Sequence, residues 1–213
     1  MSASCCNHCQ ADEHRGNHAY KRALYIVLAI NAAMFAIEIG AGLLSGSASL
    51  QADSLDFLGD AANYGISLFV VGMALRYRAM AALAKAATMC AFGVWVLGIA
   101  IWNGATGSVP GAMTMSTVGT LALLANAACF ALLWAYRSGD ANMQSAWICT
   151  RNDVIGNIAI LVAAAGVFGT GTGWPDVIVA AIMAALAIQG GVVVLRQSLA
   201  ELRVARTAEP VQA

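Results

Sequence analysis

Six long apolar segments alternate with short polar connections along this chain. Each has about 20 residues, the length with which an α-helix crosses the hydrocarbon core of a bilayer. The connections are rich in Gly and Ser and are too short to hold a soluble domain. The pattern predicts an all-α integral membrane protein with six transmembrane helices at Ala23–Leu44, Ser49–Leu75, Met80–Trp102, Thr114–Tyr136, Met143–Phe168 and Trp174–Leu195.

Composition supports this class. The 213 residues are 60% hydrophobic and 10% charged, whereas a soluble domain has about 25% charged residues. Nucleic-acid binding is excluded because no basic face is available to meet phosphates. The first apolar segment has no small-residue cleavage site after it, so it is a true span and not a signal peptide.

The basic residues predict the orientation. The connections after the first, third and fifth spans contain no Lys or Arg, so the positive-inside rule places both termini in the cytoplasm. Lys85, a few residues into the third span, can snorkel to the same side. The residues that set the orientation are Arg15, Lys21, Arg22, Arg76, Arg78, Arg137, Arg196, Arg203 and Arg206.

The chain thus divides into three parts. We expect a flexible cytoplasmic tail with Cys and His at 1–22, a six-helix transmembrane domain at 23–200 and a short cytoplasmic tail at 201–213. The high Ala and Gly content and the lack of targeting signals favour the inner (plasma) membrane of a bacterium, which the chain crosses several times.

Five acids lie inside the first, second and fifth apolar segments. Asp53, Asp56 and Asp60 are in the second, Asp153 is in the fifth and Glu38 is in the first. A charged side chain at the bilayer centre costs about 2.5–3.5 kcal/mol on insertion scales, so such acids usually face a cavity and have a function.

Spacing places these acids on helix faces. On the second span, the positions within about 80° of one another hold Asp53, Asp56, Asp60, Asn63 and Ser67. On the fifth span, one face about 100° wide holds Cys149, Asn152, Asp153 and Gly156. Each face contains two metal-type ligands four residues apart.

Depth allows the two faces to meet. Asp60 and Asp153 each lie about 15 Å from the start of their helices, near the middle of the bilayer. Antiparallel packing can bring Asp56 level with Asp153 and Asp60 level with Cys149, which suits a tetrahedral ion such as Zn²⁺. The alternative is that protonated acids form hydrogen bonds between helices, which is less favoured for several acids on two facing stripes.

Asp53 and Arg151 each have two interpretations, whereas several other polar residues of the spans are expected to serve in packing. Asp53 is an exit ligand or proton relay, or else a residue near the start of its helix. Arg151 points about 200° away from Cys149 and either pairs with Glu38 or snorkels to the cytoplasmic interface. Asn31, Asn63 and Asn157 are expected to form packing hydrogen bonds, and Cys90 and Cys129 are expected in the core.

The N-terminal tail concentrates soft metal ligands. Cys5, Cys6, His8 and Cys9 fall within five residues, and all three histidines of the chain are in this tail. In a reducing cytoplasm such a cluster favours a metal site over disulfides. The alternative is a disordered tail with incidental cysteines.

Two stretches resemble the cation diffusion facilitator family. Residues Ile39 to Asp60 resemble the signature of its first and second helices, where Asn31 and Glu38 also match polar positions. Residues Cys149 to Gly156 resemble its fifth-helix motif. The resemblance covers 23 to about 200 and implies a homodimer with cytoplasmic termini that exports Zn²⁺ and related ions against protons.

The chain also departs from that family. The usual ferredoxin-like C-terminal domain has no counterpart in this sequence, so we expect a short form, and the His-rich loop of many zinc members is also missing. Cys149 stands where the family has His or Asp. Because a thiolate is a softer ligand, it favours Cd²⁺ or Zn²⁺ over Mg²⁺ or Mn²⁺.

The sequence therefore predicts efflux of Zn²⁺ and Cd²⁺, with Co²⁺ as a further candidate, by proton antiport and with no permanent cofactor. The expected ligands are Asp56, Asp60, Cys149 and Asp153. The alternative is a membrane accessory or sensor protein that delivers metal without transporting it. An enzyme is not expected, because the spans contain no His and no convincing nucleophile with a base.

Overall fold

The computed structural model describes residues 18–70, 75–134 and 141–208. Within them it contains six α-helices, one short π-helix and no strand. The α-helices are α1 (His18–Ser45), α2 (Ala48–Gly65), α3 (Leu75–Thr106), α4 (Ala112–Trp134), α5 (Ala141–Thr170) and α6 (Trp174–Ala208). The predicted all-α class of integral membrane protein with six helices is confirmed.

Five of the helices are long and apolar enough to cross a membrane. The exception is α2, whose three acids lower its hydropathy and which continues as the π-helix Ile66–Val70. A π-helix has a wider turn than an α-helix and often occurs near functional sites. Beyond Gly65, the phase of 100° per residue assumed for the polar stripe no longer holds.

Helix packing is pairwise. α3 packs most extensively against α6, α1 against α2 and α4 against α5, while α2 also contacts α3, α5 and α6. Small residues permit the closest approach between α3 and α6. A Cβ atom added to Gly191 would lie 2.6 Å from Cys90 Sγ, and one added to Gly93 would lie 2.7 Å from Ile188 Cγ1.

A buried acid of α6 holds the start of α2. Asp176 is fully buried and accepts four hydrogen bonds, from the backbone N–H groups of Ala48 (2.8 Å) and Ser49 (3.0 Å) and from the hydroxyls of Ser47 (2.7 Å) and Ser49 (2.6 Å). Ser47 Oγ also accepts from the N–H of Leu50. These bonds satisfy the first N–H groups of α2, and the carboxylate opposes the positive end of its helix dipole.

Further contacts fix the connection between α1 and α2. Gly46 adopts a positive φ of 69°, which glycine reaches without strain, and its carbonyl accepts from Asn103 of α3. The Gln51 side chain donates to the carbonyls of Gly42 and Ser47. The N-terminal end of α2 is therefore attached to α1, α3 and α6.

Candidate metal site

The acids of α2 face the interior of the helix bundle. Asp53 is 1% exposed, Asp60 is 9% exposed and Asp56 is partly buried. Apolar neighbours on the same helix, Leu55 and Phe57, are also buried, because α2 packs against other helices on several sides. The acids are thus enclosed by protein and do not point towards lipid.

Asp60 of α2 and Asp153 of α5 lie together. Their carboxyl groups are within hydrogen-bonding reach of each other, and Asp153 is 8% exposed. Tyr64, one turn along α2, donates its hydroxyl to Asp60 Oδ2 at 3.2 Å. Two carboxylates this close and this deeply buried favour a proton or a cation between them over two negative charges.

The other two predicted ligands are placed less completely. Asp56 acts electrostatically on Asp153, so it belongs to the same charged region. The side chain of Cys149 lies outside the described residues. Among the residues that are described, no three Asp, Glu, His or Cys side chains are grouped closely enough to hold a metal. The set of four ligands therefore stays a prediction.

A second polar group surrounds Asp53. Asn157 of α5 donates to both oxygens of the Asp53 carboxylate, at 3.1 and 2.9 Å, and accepts from Asn126 of α4 at 3.3 Å. The carboxyl of Glu38 in α1 lies within hydrogen-bonding reach of Asp53. Four helices thus meet at one buried polar chain, in which Asn157 has the packing role expected of it.

Glu38 is the least satisfied member of that chain. Both of its oxygens are buried, and no N–H or O–H donor of the described residues reaches them. A hydrogen bond with Asp53 therefore requires that one of the two carboxyls be protonated. The predicted pairing of Glu38 with Arg151 is not tested, because the side chain of Arg151 lies outside the described residues.

Lys85 corrects one prediction. It does not snorkel to the membrane surface: it is 8% exposed, donates to Asn63 Oδ1 and acts electrostatically on Asp60. An unpaired ammonium inside the bilayer costs about 2.5–3.5 kcal/mol on insertion scales, so attraction to a nearby carboxylate explains how it is tolerated. Asn63 is thus a hydrogen-bonding residue, as expected, but its partner is a charged group.

The remaining predictions for polar residues are mixed in outcome. Cys129 is buried in the core, Cys90 is partly buried between α3 and α6, and Asn31 donates to the carbonyl of Val27 and to Cys129 Sγ. These agree with the interpretation as packing residues. The predicted tail site and the end of the polar stripe lie outside the described residues; they comprise Cys5, Cys6, His8, Cys9 and the side chain of Ser67.

Sequence reasoning did not single out Asp176, Asn126 or the role of Lys85. A signal existed for Asp176, since an acid in the first turn of one helix and a Ser-Ala-Ser start of another are both capping signals. That signal gives no partner, because the two residues are far apart in sequence. Nothing local marks Asn126 or Lys85, whose partners are on other helices.

Six helices that enclose facing acids define a multi-pass membrane protein with a polar site between α2 and α5. A family model described as a cation efflux transmembrane domain matches residues 24–203. The chain therefore belongs to the cation diffusion facilitator family, which its first two helices resemble. It is a membrane transporter of the cation efflux type and not an enzyme.

Proposed function

We propose that this protein exports Zn²⁺ and Cd²⁺ from the cytoplasm in exchange for protons, with Co²⁺ as a further substrate. The observation that supports it is the approach of Asp60 and Asp153, buried acids on two different helices, to hydrogen-bonding distance. The proposed ligands are Asp56, Asp60, Cys149 and Asp153. Three carboxylates and one thiolate provide the four ligands that Zn²⁺ prefers.

Exchange with protons follows from the charges. A divalent cation binds deprotonated ligands, so its binding releases protons. When the cation leaves, the neighbouring carboxylates of Asp60 and Asp153 take up at least one proton, since two adjacent buried carboxylates repel each other strongly when both are charged. Cytoplasmic binding and release on the opposite side, alternating through a helix rearrangement, then couple cation export to proton import.

Transport by inside-out membrane vesicles tests this proposal. We expect vesicles with wild-type protein to take up radioactive Zn²⁺ when their interior is acidic, and Asp153→Asn to abolish the uptake. Glu201→Gln, a change to an exposed acid on α6, is the matched control and should leave the uptake unchanged. Metal binding by purified protein without uptake in either direction of the pH gradient would instead favour an accessory or sensor protein.

Selectivity tests the role of Cys149. A thiolate ligand favours soft cations, so Cys149→His should lower the ratio of Cd²⁺ to Zn²⁺ transport. An unchanged ratio, with normal expression, would remove Cys149 from the ligand set. The same vesicles can report on the tail: deletion of residues 1–18 should weaken uptake at low metal concentration if Cys5, Cys6, His8 and Cys9 collect metal.

We also propose that the protein is a homodimer in the inner membrane of a bacterium, with both termini in the cytoplasm. The family supports a dimer, and the distribution of Lys and Arg supports the orientation. Cross-linking of single-cysteine variants in membranes tests the dimer. Labelling of cysteines introduced into the connections tests the orientation.

A further inference from the structure

Lys85 is the one buried cation among the described side chains beside the acids of the candidate site. It lies on α3, whereas the acids are on α2 and α5, so a third helix contributes charge to this region. Its ammonium donates to Asn63 Oδ1, one turn along α2 from Asp60. An amide oxygen satisfies one of its three N–H groups and leaves its charge unbalanced.

The carboxylate of Asp60 lies within electrostatic range of the Lys85 ammonium. The ammonium attracts that carboxylate, which also accepts from Tyr64 and faces Asp153. α2, α3 and α5 therefore each place a polar or charged group against Asp60. Without a bound cation, the ammonium supplies positive charge to a region that is otherwise negative.

We propose that Lys85 is a tethered counter-cation of the transport site. Its ammonium offsets part of the negative charge of the acids when no metal is bound, and it competes with the metal when metal arrives. This inference rests on the proposed function. A divalent cation between Asp60 and Asp153 is repelled by the ammonium, so Lys85 weakens metal binding and favours metal release. The residue thus tunes the affinity of the site without being one of its ligands.

Uptake kinetics of Zn²⁺ in inside-out vesicles test the proposal. Lys85→Met removes the charge and keeps a long side chain, and it should lower KM about 5- to 150-fold, the usual range for energetic coupling between two groups that bind in competition or cooperation. It should also lower the maximal rate, because release is slower. Lys85→Arg keeps the charge and should keep KM near the wild-type value. Thr88→Val, on an exposed face of α3, is the matched control.

Lys85→Gln is a second neutral variant that retains a hydrogen-bond donor towards Asn63. If either neutral variant folds, as judged by size-exclusion chromatography, and its KM is within about twofold of wild type or higher, the proposal is overturned. It is also overturned if both neutral variants fail to fold while Lys85→Arg folds, because the charge is then needed for folding and does not compete with metal.

Failure of the proposed function has a different signature. If wild-type vesicles take up no Zn²⁺ or Cd²⁺ under any pH gradient, transport of these ions is refuted whatever Lys85 does. Equilibrium binding of Zn²⁺ to purified protein then tests the counter-cation by itself. A tighter Kd in Lys85→Met than in Lys85→Arg supports competition, and equal values refute it.

Discussion

Removal of the Asp176 carboxylate should cause a large loss of stability. In Asp176→Ala, the N–H groups of Ala48 and Ser49 lose their acceptor in a fully buried place. Each buried donor left unsatisfied costs about 1–3 kcal/mol. The hydroxyls of Ser47 and Ser49 are 3.3 Å apart and can donate to one another, so they lose less.

Loss of the charge adds to this cost. An acid at a helix N-terminus contributes about 0.3–1 kcal/mol when exposed and up to about 2 kcal/mol when partly buried. Together these terms predict a destabilisation of about 2–8 kcal/mol, a large part of the stability of about 5–15 kcal/mol that is typical of a folded protein. Asp176→Asn retains one acceptor oxygen and should lose about half as much.

Unfolding of the purified protein in detergent, followed by tryptophan fluorescence, measures these differences. Glu201→Ala is the control, because it removes an exposed acid from the same helix and should change stability by less than about 0.5 kcal/mol. If Asp176→Ala is as stable as Glu201→Ala, the carboxylate does not hold the start of α2 and the reasoning is wrong.

Three further changes test the packing and the polar groups. Gly191→Ala places a Cβ 2.6 Å from Cys90 Sγ and should destabilise the protein by about 1–3 kcal/mol. Gly190→Ala is the control, because a Cβ there has nothing within 4 Å and should not destabilise the protein; thermal unfolding compares the two variants. Asn157→Leu removes both hydrogen bonds to Asp53 and should cost about 1–3 kcal/mol in the same assay, and no loss would mean that water replaces the amide. Tyr64→Phe removes one hydrogen bond from the candidate site, so we expect it to change the KM for Zn²⁺ less than tenfold without loss of folding, and complete loss of uptake would contradict this.

Much of the helical fold follows from the sequence because each span has its own apolar pattern. The start of α2 is predicted within one residue, since Ser and Gly mark the connection before Ala48. The inward face of α2 is also predictable, because helical geometry places Asp53, Asp56 and Asp60 on one side. These are local properties, and they need no knowledge of the other helices.

The contacts between helices are a different matter. Which acid of α2 reaches Asp153 depends on the relative heights of two helices, which no local pattern fixes. The partner of Lys85 depends on the same information, so an expectation based on one helix, that the side chain snorkels, was wrong. The π-helix at Ile66–Val70 changes the angular spacing of the side chains on the polar stripe, and no residue in this segment predicts a π-helix from the sequence.

The attachment of α2 to Asp176 makes that helix a lever with a fixed end. At about 1.5 Å per residue, Asp53 is about 7.5 Å and Asp60 about 18 Å from Ala48, where the helix is held. A swing of about 10° about that end displaces Asp60 by about 3 Å and Asp53 by about 1.3 Å. A rigid tilt of α2 can therefore separate Asp60 from Asp153 while Asp53 moves less than half as far. Side chains on the same polar stripe then have different roles: Asp60 moves with the far end of the helix, and Asp53 stays close to the hinge.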